Sequence, residues 1–291
     1  MSRIAPWHQT NWDWRAAANF IGGGTGTGLV IAGAVAHFLG TDYRLAFALG
    51  LVFVATGLFF VWLEIGKPWR AVNVLRQPQM SWMTREAIVA PFLFATGLGA
   101  LWTGGGVLAW ITPGVAAVFL YCQGQILRAS KGIPAWRSPG VVELIIMTGL
   151  SEGAGLTLVL VAFAGFEANL TWLQGLLLAL VAGRGLAWYA YRGRLDRDGA
   201  PARTFAALRA IEVPLAVFGL WGPILLLLVA FGVSSNGEWI AALAGICALA
   251  AGWLLKFTLI TRAAYNQGFA LPWLPVRGAG KSGPGAKPGW R

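Results

Sequence analysis

Charge is what this sequence has least of. Only 11% of its 291 residues are Asp, Glu, Lys or Arg, against roughly 25% in a soluble domain. Histidine and cysteine are nearly as scarce, at two each: His8, His37, Cys122 and Cys247. The cysteines lack CxxC spacing and have no histidine neighbours, so neither a disulfide framework nor a zinc or iron–sulfur site is expected. They read as small buried hydrophobes. A membrane b-type haem usually takes facing axial ligands, typically a histidine pair. No such pair is available, so the chain is expected to carry no haem and no metal.

What is abundant is apolar: 57% of the chain is hydrophobic and its mean hydropathy is +0.65. Several runs reach the roughly 20 residues that cross a hydrocarbon core of about 30 Å. They do not alternate in segments of about ten, which argues against a transmembrane β-barrel. The fold class is therefore all-α, an integral membrane bundle of eight helices. The expected spans are 17–40, 44–66, 87–103, 107–128, 140–163, 169–192, 205–232 and 239–260. Residues 1–16 form a polar, tryptophan-rich amino-terminal segment, 17–262 the transmembrane domain and 263–291 a basic Gly/Pro-rich tail expected to be disordered at its end. The amino-terminal segment does not have the form of a cleavable signal.

A net charge of +11 could suggest nucleic acid, but its distribution points elsewhere. Of the 22 Lys and Arg residues, 19 fall on the side shared by the two termini and the loops after spans two, four and six, and one, Arg44, falls on the other. Positive loops stay in the cytoplasm, so both termini are expected there. That side also has the long loops, so large partners should dock on it.

Two glycine-rich stretches resemble phosphate loops. In "NFIGGGTGTGLVIAG", Gly22, Gly23, Gly24, Gly26, Gly28 and Gly33 sit inside an apolar run with no preceding strand, and the next acid is Asp42. A dinucleotide site needs a strand before its glycines and an acid about 20 residues on. The pairs Gly22/Gly26 and Gly24/Gly28 instead have the small-xxx-small spacing that lets helices approach closely in lipid. A face kept bare for a flat ligand is the lesser alternative. "GAGKS" at 278–282 has Pro275 where a P-loop has its first glycine.

Ionisable groups within apolar spans cost roughly 2.5–3.5 kcal/mol each at a helix centre, so they need partners or a function. They are Glu64, Glu143, Glu152, Arg184, Glu212 and Lys256, with Arg85 and Glu86 at the mouth of span three. Glu64, Arg85, Glu86, Gln123, Gln125, Arg128, Glu143, Glu212 and Asn19 all fall near one interface, beneath Trp12 and Trp14; Glu152 lies deeper. Such a ring could receive a quinone head, with carboxylates exchanging protons and Arg or Asn donating to an oxygen. Mutual pairing, such as Glu64 with Arg85, is the structural alternative.

The loop "EIGKPWRAVNVLRQPQMSWMTREAI", Glu64 to Ile88, resembles the G-[RK]-P-x-R-A … S-W-[LM]-[ST]-R-E segment of membrane-anchor subunits in the dimethyl sulfoxide reductase family. "YCQGQILRASKGIPAWRSP", Tyr121 to Pro139, is similar to a second segment of that family. The resemblance implies a three-part enzyme: a molybdopterin (or tungsten) catalytic subunit, an iron–sulfur subunit, and this chain as the quinone-exchanging anchor in a bacterial cytoplasmic membrane. It implies a quinone role for Arg85 and Glu86, and docking of the iron–sulfur subunit by Glu64, Lys67 and Arg70. Added to the polar ring, it gives Glu86 and Glu64 as proton-exchanging residues. Arg85, Trp82, Asn19, Gln125, Arg128 and Trp14 are then the quinone contacts, with Arg76, Lys131 and Arg137 joining the docking face. Glu143 and Glu152 form the expected proton path. Family anchors often place a histidine near the quinone; spans two and three have none here, leaving Glu64, Glu86 or His8 as substitutes. A cytoplasmic docking face resembles the sulfite dehydrogenase and phenylacetyl-CoA:acceptor oxidoreductase members. The competing reading is a transporter using Glu152, Arg184 and Lys256, with Pro214 and Pro223 breaking span seven.

Overall fold

A computed structural model of the chain describes residues 5–64, 78–164, 170–233, 236–268, 271–274 and 283–286. Its helices are α1 (Trp14–Phe38), α2 (Arg44–Glu64), α3 (Trp82–Thr103), α4 (Val107–Ala129), α5 (Pro134–Arg137), α6 (Gly140–Ala164), α7 (Leu170–Arg197), α8 (Ala202–Arg209), α9 (Glu212–Ala216), α10 (Gly222–Gly232) and α11 (Gly237–Thr261). Among the described residues, eight helical stretches are long and apolar enough to cross a membrane, the shortest of 21 residues. At 1.5 Å per residue that is about 32 Å, enough for the hydrocarbon core. Spans one to four are α1 to α4, spans five and six are α6 and α7, span seven joins α9 to α10, and span eight is α11. The chain is a multi-pass membrane protein of all-α class.

Local chemistry sets the ends. Asp13 caps α1 by accepting from the backbone N–H of Arg15 at 2.8 Å, and the hydrogen-bonded Arg15 guanidinium holds that carboxyl below its ordinary range. Ser81 caps α3, so span three begins at Trp82 rather than at the expected 87. Its first turn carries Arg85 and Glu86, which hydropathy reads as loop. Gly104 closes the same helix in the left-handed region, at φ 75°, where a Cβ would be strained.

Span seven departs from expectation. Its expected start, 205, falls in α8, which is separate from α9 and is tied by Thr204 Oγ1 donating to the Ala263 carbonyl. Between α9 and α10 lies a π-helical turn, Val217–Trp221. Pro223 explains it: a proline ring has no N–H and pushes away the carbonyl four residues back, here that of Gly219.

The core is organised around α1, which packs against α2, α4, α6 and α11 and is the most deeply buried span. Its glycines are why. A methyl on Gly22 would stand 2.6 Å from the Phe53 carbonyl of α2, and one on Gly26 would overlap the Gly50 carbonyl. On another face Gly28 meets Gly149 and Gly153 of α6 backbone to backbone, and α6 in turn meets α11 at Gly155 and Gly245. The glycine run thus serves close helix packing, as its spacing predicts.

Residues 7–9 and 264–266 meet at one end of the bundle. Gln9 donates its backbone N–H to Ala264 at 3.0 Å, Asn266 to Trp7 at 3.1 Å, and His8 bridges Tyr265. In the carboxyl-terminal stretch expected to be a tail, Leu271–Leu274 and Gly283–Ala286 form a two-stranded antiparallel pair.

Candidate functional site

At the end where residues 7–9 meet 264–266, α1, α2, α3 and α4 line a cavity of about 40 Å³. Trp12, Asn19, Val61, Glu64, Met83, Glu86 and Ile126 are among its lining residues. Glu86 and Asn19 are 6% and 4% exposed, while Glu64 is half-buried. The Asn19 and Gln123 side-chain amides lie against the Glu86 carboxyl. Gln123, fully buried, also donates Nε2 to the Asn19 backbone carbonyl at 3.1 Å. Six buried side-chain oxygens have no hydrogen-bond partner among the described residues, and three of them are gathered here: Glu86 Oε1, Asn19 Oδ1 and Gln123 Oε1. Leaving such a group unpaired costs about 1–3 kcal/mol, so three at one spot mark a place shaped for something other than packing. The set can accept hydrogen bonds from a hydroxyl and exchange a proton at the carboxylate.

The other expected ring members are elsewhere. The Arg85 guanidinium donates to the Pro78 and Gln79 carbonyls at 2.9 and 3.0 Å and lies 4.0 Å over the Trp82 ring, which meets Tyr121 edge-on. It braces the turn before α3 and does not pair with Glu64. Near Glu64 it is Arg15 that reaches α2, donating to the Leu63 carbonyl at 3.1 Å. Gln125 is buried, but neither it nor Arg128, which is exposed, lines the cavity; Gln123 does not line it either and reaches the site through Glu86 and Asn19. Trp14 is exposed, edge-on to Phe60. Lys131 is exposed, and Arg137 donates to its carbonyl at 3.2 Å. Lys67, Arg70 and Arg76 lie outside the described residues.

Glu143 and Glu152 do not share a path. Glu143 is exposed, 3.9 Å from Arg194 on α7. Glu152 is fully buried on another side of α6, because nine residues at about 100° each reverse a helix face. Its Oε2 accepts from Lys256 Nζ at 2.6 Å and from Thr25 Oγ1 at 2.8 Å; Trp253 Nε1 donates to that threonine at 3.0 Å. Arg184 donates to the Ala248 carbonyl at 2.7 Å and to Gly219, the carbonyl that Pro223 displaces. The three groups proposed for a transport pathway thus close onto one another and onto backbone, with Glu152 and Lys256 at 0% exposure and Arg184 at 3%.

Sequence reasoning missed Met83, and it placed Trp12 and Gln123 at this interface without naming them among the site residues. One signal was present: Gln123 and Gln125 are two residues apart, about 200° around a helix, so only one of them can face α1. Trp136, in the second resembling segment, is buried and donates to the Leu259 carbonyl at 2.9 Å; its part is to pin α5 to α11. Among the described residues no three His, Cys, Asp or Glu side chains gather. No protein-family model matches this chain, and no curated protein matches it.

Proposed function

We propose that this chain is the membrane anchor and quinone-binding subunit of a bacterial molybdenum (or tungsten) iron–sulfur oxidoreductase. The observation that carries the reading is the Glu86 cavity: a buried carboxyl with one unpartnered oxygen, two amides beside it, and Glu64 and Trp12 on its wall. The loop resemblance supports it, as does the basic character of the end where the cavity lies. In this reading that end faces the cytoplasm, where an iron–sulfur subunit docks and a molybdopterin subunit oxidises the substrate.

The cavity receives an oxygen-bearing edge of a ring beside the Glu86 carboxyl. Quinone reduction consumes two electrons, supplied by the partner's clusters, and two protons. Asn19 and Gln123 orient the ring oxygen and the Glu86 carboxyl. Glu86 delivers a proton to that oxygen, and half-buried Glu64 reloads the site from the aqueous side. Arg85, engaged with Pro78 and Gln79, holds the turn that presents Glu86. The transporter reading receives less support, since Glu152 and Lys256 pair with each other and Arg184, although it lines a cavity with Glu212, is tied to the Ala248 and Gly219 carbonyls.

The test uses the complex purified from its native membrane. Molybdenum or tungsten, iron and two soluble subunits are expected with the chain. Glu86→Gln is expected to lower quinone reduction about 100-fold while dye reduction by the soluble subunits stays intact. Quinone reduction unchanged by Glu86→Gln, or a chain that comes alone and metal-free, would overturn the reading.

A further inference from the structure

A cavity that shares no lining residue with the Glu86 site lies between α7 and span seven. Arg184, Trp188 and Tyr189 of α7 line it together with Glu212, Leu215 and Ala216 of α9. The π-helical turn adds Gly219 and Leu220 to the wall, and such turns are frequent at functional sites. Tyr189 is 54% exposed and Glu212 is exposed as well, so the cavity opens on the outer surface of the bundle. For a helix that crosses a membrane, that surface meets lipid. Arg184 itself is buried. It stands eight residues along α7 from Arg192, which is 3.8 Å from Glu212 at the mouth. At 1.5 Å per residue, the guanidinium is set about 12 Å deeper than that exposed pair.

The charges around Arg184 do not balance. Glu152 is the carboxylate that acts on it, and Glu152 is already in an ion pair with Lys256 at 2.6 Å. Glu212 is matched by Arg192. Two cations and one anion therefore leave one positive charge over, inside the hydrocarbon region, where an unmatched charge is costly. The Ala248 and Gly219 carbonyls each accept one bond from the guanidinium. They solvate the charge without neutralising it. A guanidinium has five N–H donors, and these two carbonyls are its acceptors among the described residues. The cavity thus presents an under-matched cation in an apolar and aromatic slot that opens to lipid. Its complement is an anion carried on an apolar chain.

We propose that this cavity binds a long-chain fatty acid, with the carboxylate on Arg184 and the alkyl chain leaving past Leu215, Ala216 and Leu220 into the bilayer. Depth selects this ligand among anionic lipids. A phospholipid phosphate stays at the headgroup level, where Arg192 and Glu212 lie. A single-chain acid is not tethered there, because its neutral form dissolves in hydrocarbon. The guanidinium favours the ionised form, and a planar carboxylate suits its fork of donors. Uptake from the neutral pool in the bilayer therefore releases one proton to water. The site is built on α7, α9 and the π-helical turn and is independent of the quinone reading.

The test is solid-state NMR of the full chain in bilayers of phosphatidylcholine and phosphatidylglycerol that contain palmitic acid labelled with ¹³C at its carboxyl. A bound carboxylate line is expected, and it should persist as pH falls through the range in which the acid dissolved in the bilayer becomes protonated. Arg184→Gln should abolish that line. Ala216→Phe should abolish it too, by filling the cavity with the arginine left in place, and it serves alone if Arg184→Gln does not insert. Glu86→Gln should leave the line unchanged, and hexadecanol, which has the chain without the charge, should not displace the acid. Labelled acid that titrates as one pool would overturn the proposal. So would a bound line that survives Ala216→Phe, disappears in Glu86→Gln, or yields to hexadecanol at equal concentration.

Discussion

Glu86 and Glu152 are both buried carboxylates in apolar spans, and their surroundings differ in kind. Glu152 is held by an ammonium at 2.6 Å and a hydroxyl at 2.8 Å, at 0% exposure. Glu86 has amide neighbours only and a cavity at its side, while both carboxylates keep one oxygen, Oε1, without a partner among the described residues. The first arrangement sets the carboxylate against a cation, and the second sets it against neutral amides beside a cavity. A charge within a membrane can thus serve either end, and its partners tell which.

The largest expected effect breaks the paired site. Lys256→Met orphans Glu152 and should lower stability by about 3–5 kcal/mol, read as a loss of folded chain on thermal titration in detergent. Adding Glu152→Leu should restore much of it. A smaller effect comes from Gly252, where a methyl would overlap Glu152 Oε1. Gly252→Ala should cost about 1–3 kcal/mol through crowding, and the loss should shrink when Glu152 is absent. Glu86→Gln orphans no opposite charge and keeps an acceptor for the neighbouring amides. Its stability should change by less than about 1 kcal/mol, while quinone reduction falls steeply. Glu143 sharpens the contrast from the solvent side: Glu143→Gln breaks only a 3.9 Å exposed pair and should shift stability by under about 0.5 kcal/mol. If Glu86→Gln instead destabilised as much as Lys256→Met, the two sites would differ in degree and not in kind.

Much of this was legible in the sequence. Apolar run length gives eight spans, because lipid imposes it, and small-xxx-small spacing gives the role of the α1 glycines. The gathering of Asn19, Glu64 and Glu86 follows from span direction alone, since α1 and α3 begin where α2 ends. Rotation about each helix was read less well. Gln125 took the place of Gln123, and Glu143 was joined to Glu152 although nine residues separate the faces. Partner choice was not legible at all. Nothing local says that Lys256 meets Glu152, or that Arg184 meets the carbonyl freed by Pro223, because those pairings exist only once α6, α7, α10 and α11 are packed.

The clasp between the two chain ends bears on how the protein is made. Trp7 and Asn266 are bonded across 259 residues, and α1 is the helix the others surround. Ribosomes add about 5–20 residues per second, so Trp7 waits roughly 13–50 s for Asn266 to be made. During that interval the bare glycine faces of α1 stand without the helices that cover them. An insertion factor or chaperone that shields a glycine-lined helix would find its task set by the order in which this chain is synthesised.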